Sequence, residues 1–167
     1  MPVESLRRGW HLTGGWQNLT MSTEKQSCNF EADQLILQLR VTLAADKTAV
    51  DPVVQGVMNL VRQMQCAAGK EDDIELALSE ALANAVIHGA KSDPSKIIEC
   101  DVACDEKRGM LIVVRDPGPG FDPSKLPSCL KGQNLFSNHG RGIYLINQLM
   151  DEVNFTKNGT EIQMIKH

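Results

Sequence analysis

Residues 79–89 read Ser79-Glu80-Ala81-Leu82-Ala83-Asn84-Ala85-Val86-Ile87-His88-Gly89. Steps of four residues advance only about 40° around a helix of 3.6 residues per turn, so Glu80, Asn84 and His88 form one polar stripe. Ile74, Leu78, Ala81, Leu82 and Ala85 form an apolar stripe centred roughly 100° away by the same geometry. The pattern predicts a helix from about Glu71 to Ile87. Glu71, Asp72 and Asp73 suit the positive end of its dipole, and Gly89 falls just past its end. A carboxylate and an amide beside an apolar face are costly to bury without partners, so the stripe is expected to flank a cavity. Asn84 offers that cavity a neutral oxygen and Glu80 a proton acceptor, which suits a cation or a phosphate. The polar rim of an ordinary amphipathic helix has the same pattern, and the stripe alone does not separate the two readings.

Upstream of this helix, Leu35, Leu37, Leu39, Val41 and Leu43 alternate with mostly polar neighbours, the period of a half-buried strand. From Asp46 to about Gln65, Val50, Val53, Val54, Val57, Leu60, Val61 and Met64 recur at helical spacing, with Pro52 tolerable in the first turn. Gly69 breaks the chain before the next helix. Residues 1–30 carry both tryptophans and show no sustained period, so they are expected to be a poorly ordered extension ahead of one domain at 31–167. Met21 is a candidate physiological start within that extension.

Downstream, Ile97 to Cys104 and Met110 to Arg115 are branched, apolar runs joined by a polar hairpin turn. Asp116 to Arg141 is rich in Gly, Pro, Ser and Asn; loops of that length are usually functional. Ile143, Leu145, Ile146, Leu149 and Met150 suit a short helix, and Glu152 to Thr156 with Thr160 to Lys166 read as a closing hairpin about Asn158-Gly159. This order implies an α/β (α+β) two-layer sandwich, a mostly antiparallel mixed sheet covered on one face by helices.

The 167 residues suit one domain with a real core, and the net charge of −4 argues against direct nucleic-acid binding, which needs a basic surplus on one face. Five cysteines without C-x-x-C spacing point to a reducing compartment rather than a disulfide scaffold or a zinc knuckle. No apolar stretch approaches the roughly 20 residues that cross a bilayer, nor is there an export signal, so the expectation is a cytoplasmic protein with no membrane association.

Two further segments carry candidate chemistry. Asp116-Pro117-Gly118-Pro119-Gly120-Phe121-Asp122 follows a strand directly; its alternating glycines let backbone approach a flat ring, with the Asp116 carboxylate accepting from an exocyclic amine. A tight surface turn is the plainer reading of the same residues. His139-Gly140-Arg141-Gly142-Ile143-Tyr144-Leu145-Ile146 opens a helix, where backbone N–H groups bind phosphate and Arg141 adds charge. Each segment alone is a weak signal; together they complement the Glu80 stripe.

In that conjunction the sequence resembles the Bergerat-fold ATPases, of the histidine-kinase-like type, and within them the anti-sigma regulatory factors with serine/threonine kinase activity. Residues 79–89 look like that family's N box, 116–121 its first glycine box and 140–146 its second, and Asn158-Gly159-Thr160 is similar to its last nucleotide-contacting element. The resemblance spans about residues 35 to 166. It implies that Glu80 is the general base toward the attacking hydroxyl, with Arg141 also catalytic, and that Asn84 ligates Mg2+ on the phosphates of ATP. Asp116 would bind the adenine amino group, Gly118 and Gly120 would shape its pocket, and Thr160 would assist. His88, Phe121 and Ile143 would also contact the nucleotide; for His88 a helix-capping role is the alternative. Residues 121 to 139 would form an ATP lid, with Gly140, Arg141 and Gly142 at its phosphate-holding end. The resemblance further implies a sigma factor and a STAS-type anti-anti-sigma antagonist as partners, and a homodimer. A non-catalytic ATP-binding module that controls a partner phosphatase is the competing reading, disfavoured by Glu80 and Asn84. The ATP-binding half of a histidine kinase is disfavoured because no acceptor histidine lies in a plausible dimerisation helix.

Overall fold

The computed structural model describes residues 35–125 and 138–167. The expected extension and most of the expected lid therefore lie outside the described residues. The elements run β1 (Leu35–Ala44), α1 (Val50–Gln63), α2 (Glu71–Asn84), β2 (Ile97–Asp105), β3 (Gly109–Arg115), α3 (Asn138–Leu149), β4 (Glu152–Thr156) and β5 (Glu161–Lys166). The strands form one sheet in the order β1-β2-β3-β5-β4, and all four pairings are antiparallel. Strands joined by hairpins, interrupted by helices on one side, give the α+β sandwich that the element order implied.

The alternation in β1 works as read. Leu37, Leu39, Val41 and Leu43 pack toward the helices, while Arg40 reaches the opposite face. A bulge between Leu35 and Leu37 shifts the phase, and Ile36 also joins the core side. In α1 the buried stripe is Val50, Val54, Val57, Met58 and Val61. Leu60, expected inside, is 37% exposed. It lies roughly 100° from the centre of that stripe, and Met58 fills the core instead.

Helix α2 lies between α1 and α3 and buries Ile74, Ala77, Leu78, Ala81 and Leu82. Its last turn differs from the simple helix expected: Ala85–Gly89 is a π turn, closed by the Ala90 N–H donating to the Ala85 carbonyl at 2.8 Å. Such one-residue expansions occur mostly at functional sites. The layer beneath the helices comes from alternate strand residues, including Ile98, Cys100, Val102, Cys104, Met110, Ile112, Val114, Ile162 and Met164. The middle strand β3 is buried on both faces, which explains its unbroken Met110-Leu111-Ile112-Val113-Val114 run.

The sheet face turned away from the helices carries a small apolar cluster of Leu111, Val113 and Ile165 beside an ion-pair network. Arg40 donates from Nε to Asp101 Oδ1 at 2.7 Å, Arg115 bridges to Asp101, and Arg115 Nε donates to Glu161 Oε2 at 2.5 Å. Lys157, Thr156 and Gln163 also donate to the Glu161 carboxylate, at 2.9, 2.7 and 2.9 Å. Burial by itself would raise the Glu161 carboxyl, but the donors from Lys157, Thr156, Arg115 and Gln163 outweigh it and hold its pKa at about 2. Asp101 is likewise lowered, burial again being overcome by Arg40 and Arg115. A carboxyl depressed in the folded state stabilises the protein above its unfolded pKa, and that contribution is lost as pH falls through the folded value. For Glu161 the loss, on the order of 3 kcal/mol, therefore falls between about pH 4.5 and about pH 2. Urea midpoints measured from about pH 5 to about pH 2.5 should drop steeply, and less steeply in Glu161→Gln; parallel slopes would show that this carboxylate is not responsible.

Candidate active site

The end of β3, the π turn after α2, the start of α3 and the β4–β5 turn converge on one cavity of about 260 Å³. Its apolar walls include Ala81, Ala85, Val114, Pro119, Phe121, Ile143, Phe155 and Ile162, and its polar side chains are Asn84, His88 and Asp116. Apolar walls with a few convergent polar groups are the usual make-up of a small-molecule site. Phe121 and Phe155 meet edge to face with ring centroids 5.3 Å apart.

Asp116 is fixed from three sides. Its backbone N–H donates to the Thr160 carbonyl at 3.0 Å, tying it to the turn before β5. Its Oδ1 accepts from the Gly118 N–H at 2.8 Å. A Cβ at Gly89 would overlap the Asp116 carboxylate, and one at Gly118 would overlap the Gly89 carbonyl. Those glycines are required by close approach, not by turn propensity. Gly120 combines φ +74° with contact against the Asn158 carbonyl, which also accepts from the Phe121 N–H at 2.8 Å. The glycine-rich segment is thus seated on the β4–β5 turn rather than lying as a free surface loop. Burial pushes the Asp116 carboxyl up, against the pull of the Gly118 N–H.

At the other end of the site, α3 presses its first turns onto the polar stripe of α2. A Cβ at Gly142 would lie 2.9 Å from Glu80 Oε2 and 3.0 Å from Asn84 Nδ2. The second glycine segment therefore meets the N-terminal part of the constellation directly, although 62 positions separate Glu80 from Gly142. Asn138–Leu149 is helical throughout, so Gly140, Arg141 and Gly142 sit inside its opening turns.

Of the residues singled out from sequence, Asn84, His88, Asp116, Gly120, Phe121 and Ile143 line the cavity. Gly118 and Gly142 border it through the contacts above. Arg141 is exposed on α3 and outside the lining. Glu80 is also outside the lining and meets the site at Gly142, while the Thr160 hydroxyl donates to the Lys157 carbonyl at 2.8 Å within its own turn. Sequence reasoning missed Gly89 as a site residue, treating it as a helix stop. Phe155 was also missed; its strand position opposite Ile162 is the only sequence-level signal it offered.

The profile of the histidine kinase-like ATPase domain matches residues 43–166. The chain belongs to the histidine kinase-like ATPase domain family. Among relatives of this ATPase domain, the anti-sigma F factor of Anoxybacillus flavithermus is 29% identical over 134 residues, covering 77% of this chain and 81% of the relative. The serine-protein kinase RsbW of Staphylococcus epidermidis is 37% identical over 113 residues, covering 60% of this chain and 70% of the relative. The anti-sigma F factor of Bacillus cytotoxicus is 28% identical over 134 residues, with 77% and 81% coverage. All the cavity-lining side chains of the ATPase domain lie within the matched span. Among its described residues, no helix is long and apolar enough to cross a membrane.

Proposed function

We propose that this ATPase domain is an ATP-dependent serine/threonine protein kinase that acts as an anti-sigma factor, phosphorylating an anti-anti-sigma antagonist of STAS type and sequestering a sigma factor. The observation that carries the reading is the meeting of Gly142 with Glu80 and Asn84 beside a cavity whose far end holds Asp116. An apolar slot with one fixed carboxylate suits adenine, and a carboxylate and amide grouped against a helix start suit the polyphosphate end. Relatives named serine-protein kinase and anti-sigma F factor supply the reaction class and the partner class. A homodimer and a cytoplasmic location belong to the same proposal, as does the division into an extension at 1–30 and a catalytic domain at 31–167.

The residues fit a Mg-nucleotide. Asn84 brings an uncharged amide oxygen, and Gly142 leaves only a hydrogen where a methyl group would crowd Glu80 and Asn84. Mg2+, when bound, would neutralise phosphate charge. Asn84 would hold it, and the N–H groups of Gly140, Arg141 and Gly142 at the start of α3 would hold the phosphates. The Asp116 carboxylate would accept from the adenine amine, with Phe121, Ile143, His88 and the Thr160 turn around the nucleoside, and Gly118 and Gly120 keeping the floor flat. Glu80 would take the proton of the attacking serine or threonine hydroxyl, and Arg141 would stabilise charge on the transferred group. Phosphoryl transfer of this kind depends mainly on positioning and electrostatics, which a rigid glycine-lined site provides.

Incubating the chain with labelled ATP, Mg2+ and an antagonist protein of STAS type should move label to a serine or threonine of the antagonist. Nucleotide binding without transfer would instead identify a non-catalytic module acting on a partner phosphatase. Absence of nucleotide binding would overturn both.

A further inference from the structure

Outside the nucleotide site, two cysteines from distant parts of the chain meet where the turn after α1 lies over β2. Cys104 is fully buried on the helix side of β2, opposite Leu37 and Met110. Its thiol donates to the Cys66 carbonyl at 3.3 Å, across 38 positions of sequence. Cys66 is half-buried, held in the turn by its N–H to the Val61 carbonyl at 3.2 Å. With one sulfur against the other residue's carbonyl, the two side chains share one pocket wall. We propose that Cys66 and Cys104 form a peroxide-sensitive thiol pair, a modification site at which hydrogen peroxide or another small hydroperoxide drives a reversible intramolecular disulfide.

The two thiols are chemically unequal in the way such a pair requires. Hydrogen bonding from the Cys104 thiol lowers the pKa of Cys66 against the opposing effect of burial. The same contact, followed by desolvation and the nearby charges, raises Cys104. The more accessible sulfur is thus the better thiolate and the buried one keeps its proton. In the first step the Cys66 thiolate attacks the peroxide: an S–O bond forms, the O–O bond breaks, and one oxygen leaves as water. Cys66 becomes a sulfenic acid, and the peroxide supplies the oxidising equivalents. In the second step the Cys104 sulfur attacks the sulfenic sulfur: an S–S bond forms, the S–O bond breaks, and hydroxide leaves with the Cys104 proton as a second water. A dithiol reductant reverses the outcome.

Cys100 does not compete. It lies four residues from Cys104 on the same strand face, roughly 13 Å away, beyond the span of a disulfide. Burial also pushes its thiol up to about 12, with the Asp101 charge adding to the shift. Cys28 and Cys129 lie outside the described residues.

The test uses the full chain. Reduced protein is exposed to graded hydrogen peroxide, alkylated under denaturing conditions and mapped without reduction. The expected product joins the peptide of Cys66 to that of Cys104, two hydrogens lighter than the pair, and disappears after dithiothreitol. Cys104→Ser should leave Cys66 trappable by a sulfenic-acid reagent, while Cys100→Ser should leave the cross-link unchanged. Cys66 joined instead to Cys28, Cys100 or Cys129, or overoxidised while Cys104 stays a free thiol, would overturn the proposal. So would complete resistance of Cys66 to peroxide. None of these readouts depends on kinase activity, so the proposal stands or falls separately from the functional reading.

Discussion

Glu80→Gln should lower phosphoryl transfer by about 10²- to 10⁴-fold while leaving ATP affinity unchanged. The argument begins with its place. Glu80 lies on α2 one helical turn before Asn84, with Oε2 against Gly142 and outside the lining of the cavity that would hold the base. Glutamine keeps the volume and the contact with Gly142 but removes the proton acceptor. Binding energy from the base pocket is therefore untouched, and the loss belongs to the chemical step. Single-turnover transfer and nucleotide titration on the same preparation separate the two. Unchanged turnover would remove Glu80 from the role of base; equal losses in binding and transfer would assign it to phosphate or metal binding instead.

Asp116→Asn should weaken ATP binding by about 10- to 150-fold, the equivalent of losing one hydrogen bond to a charged group, and should erode discrimination against GTP. The Gly118 N–H, 2.8 Å from Asp116 Oδ1, decides the direction. In the asparagine variant the amide oxygen satisfies that donor, which turns the NH2 group toward the base. Two donors then face each other where adenine presents its amine, whereas guanine presents a carbonyl there and gains a partner. Calorimetry with ATP and GTP reads both effects. An unaltered preference would show that Asp116 does not contact the base edge.

The fold was legible in the sequence where periodicity is strong and local. The alternation of Leu37, Leu39, Val41 and Leu43 and the branched run of β3 gave their strands directly, and the polar turn at 105–109 gave the hairpin. Leu60 misled because helical spacing admits neighbouring stripes about 100° apart, and only packing against the sheet chooses between them. The site was legible as segments but not as contacts. Glu80 and Asn84 stand out by their spacing, yet nothing local says that Gly142 rests on them or that Gly89 closes on Asp116. Those are long-range approaches, set by how the helical layer sits on the sheet. The network of Arg40, Asp101, Arg115 and Glu161 went unread for a related reason, since charged residues at alternate strand positions normally signal a solvated face.

The widened turn at Ala85–Gly89 gives the end of α2 one residue more than a regular helix would use. Deleting any single residue there would let the helix close normally, at the expense of rotating everything beyond it by about 100°. Gly89 would swing away from the carboxylate it now abuts, and His88 would leave the wall of the cavity. Length in this short stretch is therefore under tighter constraint than composition: exchanges of side chain can be absorbed one by one, whereas a shortened chain loses its registry with the neighbouring strand.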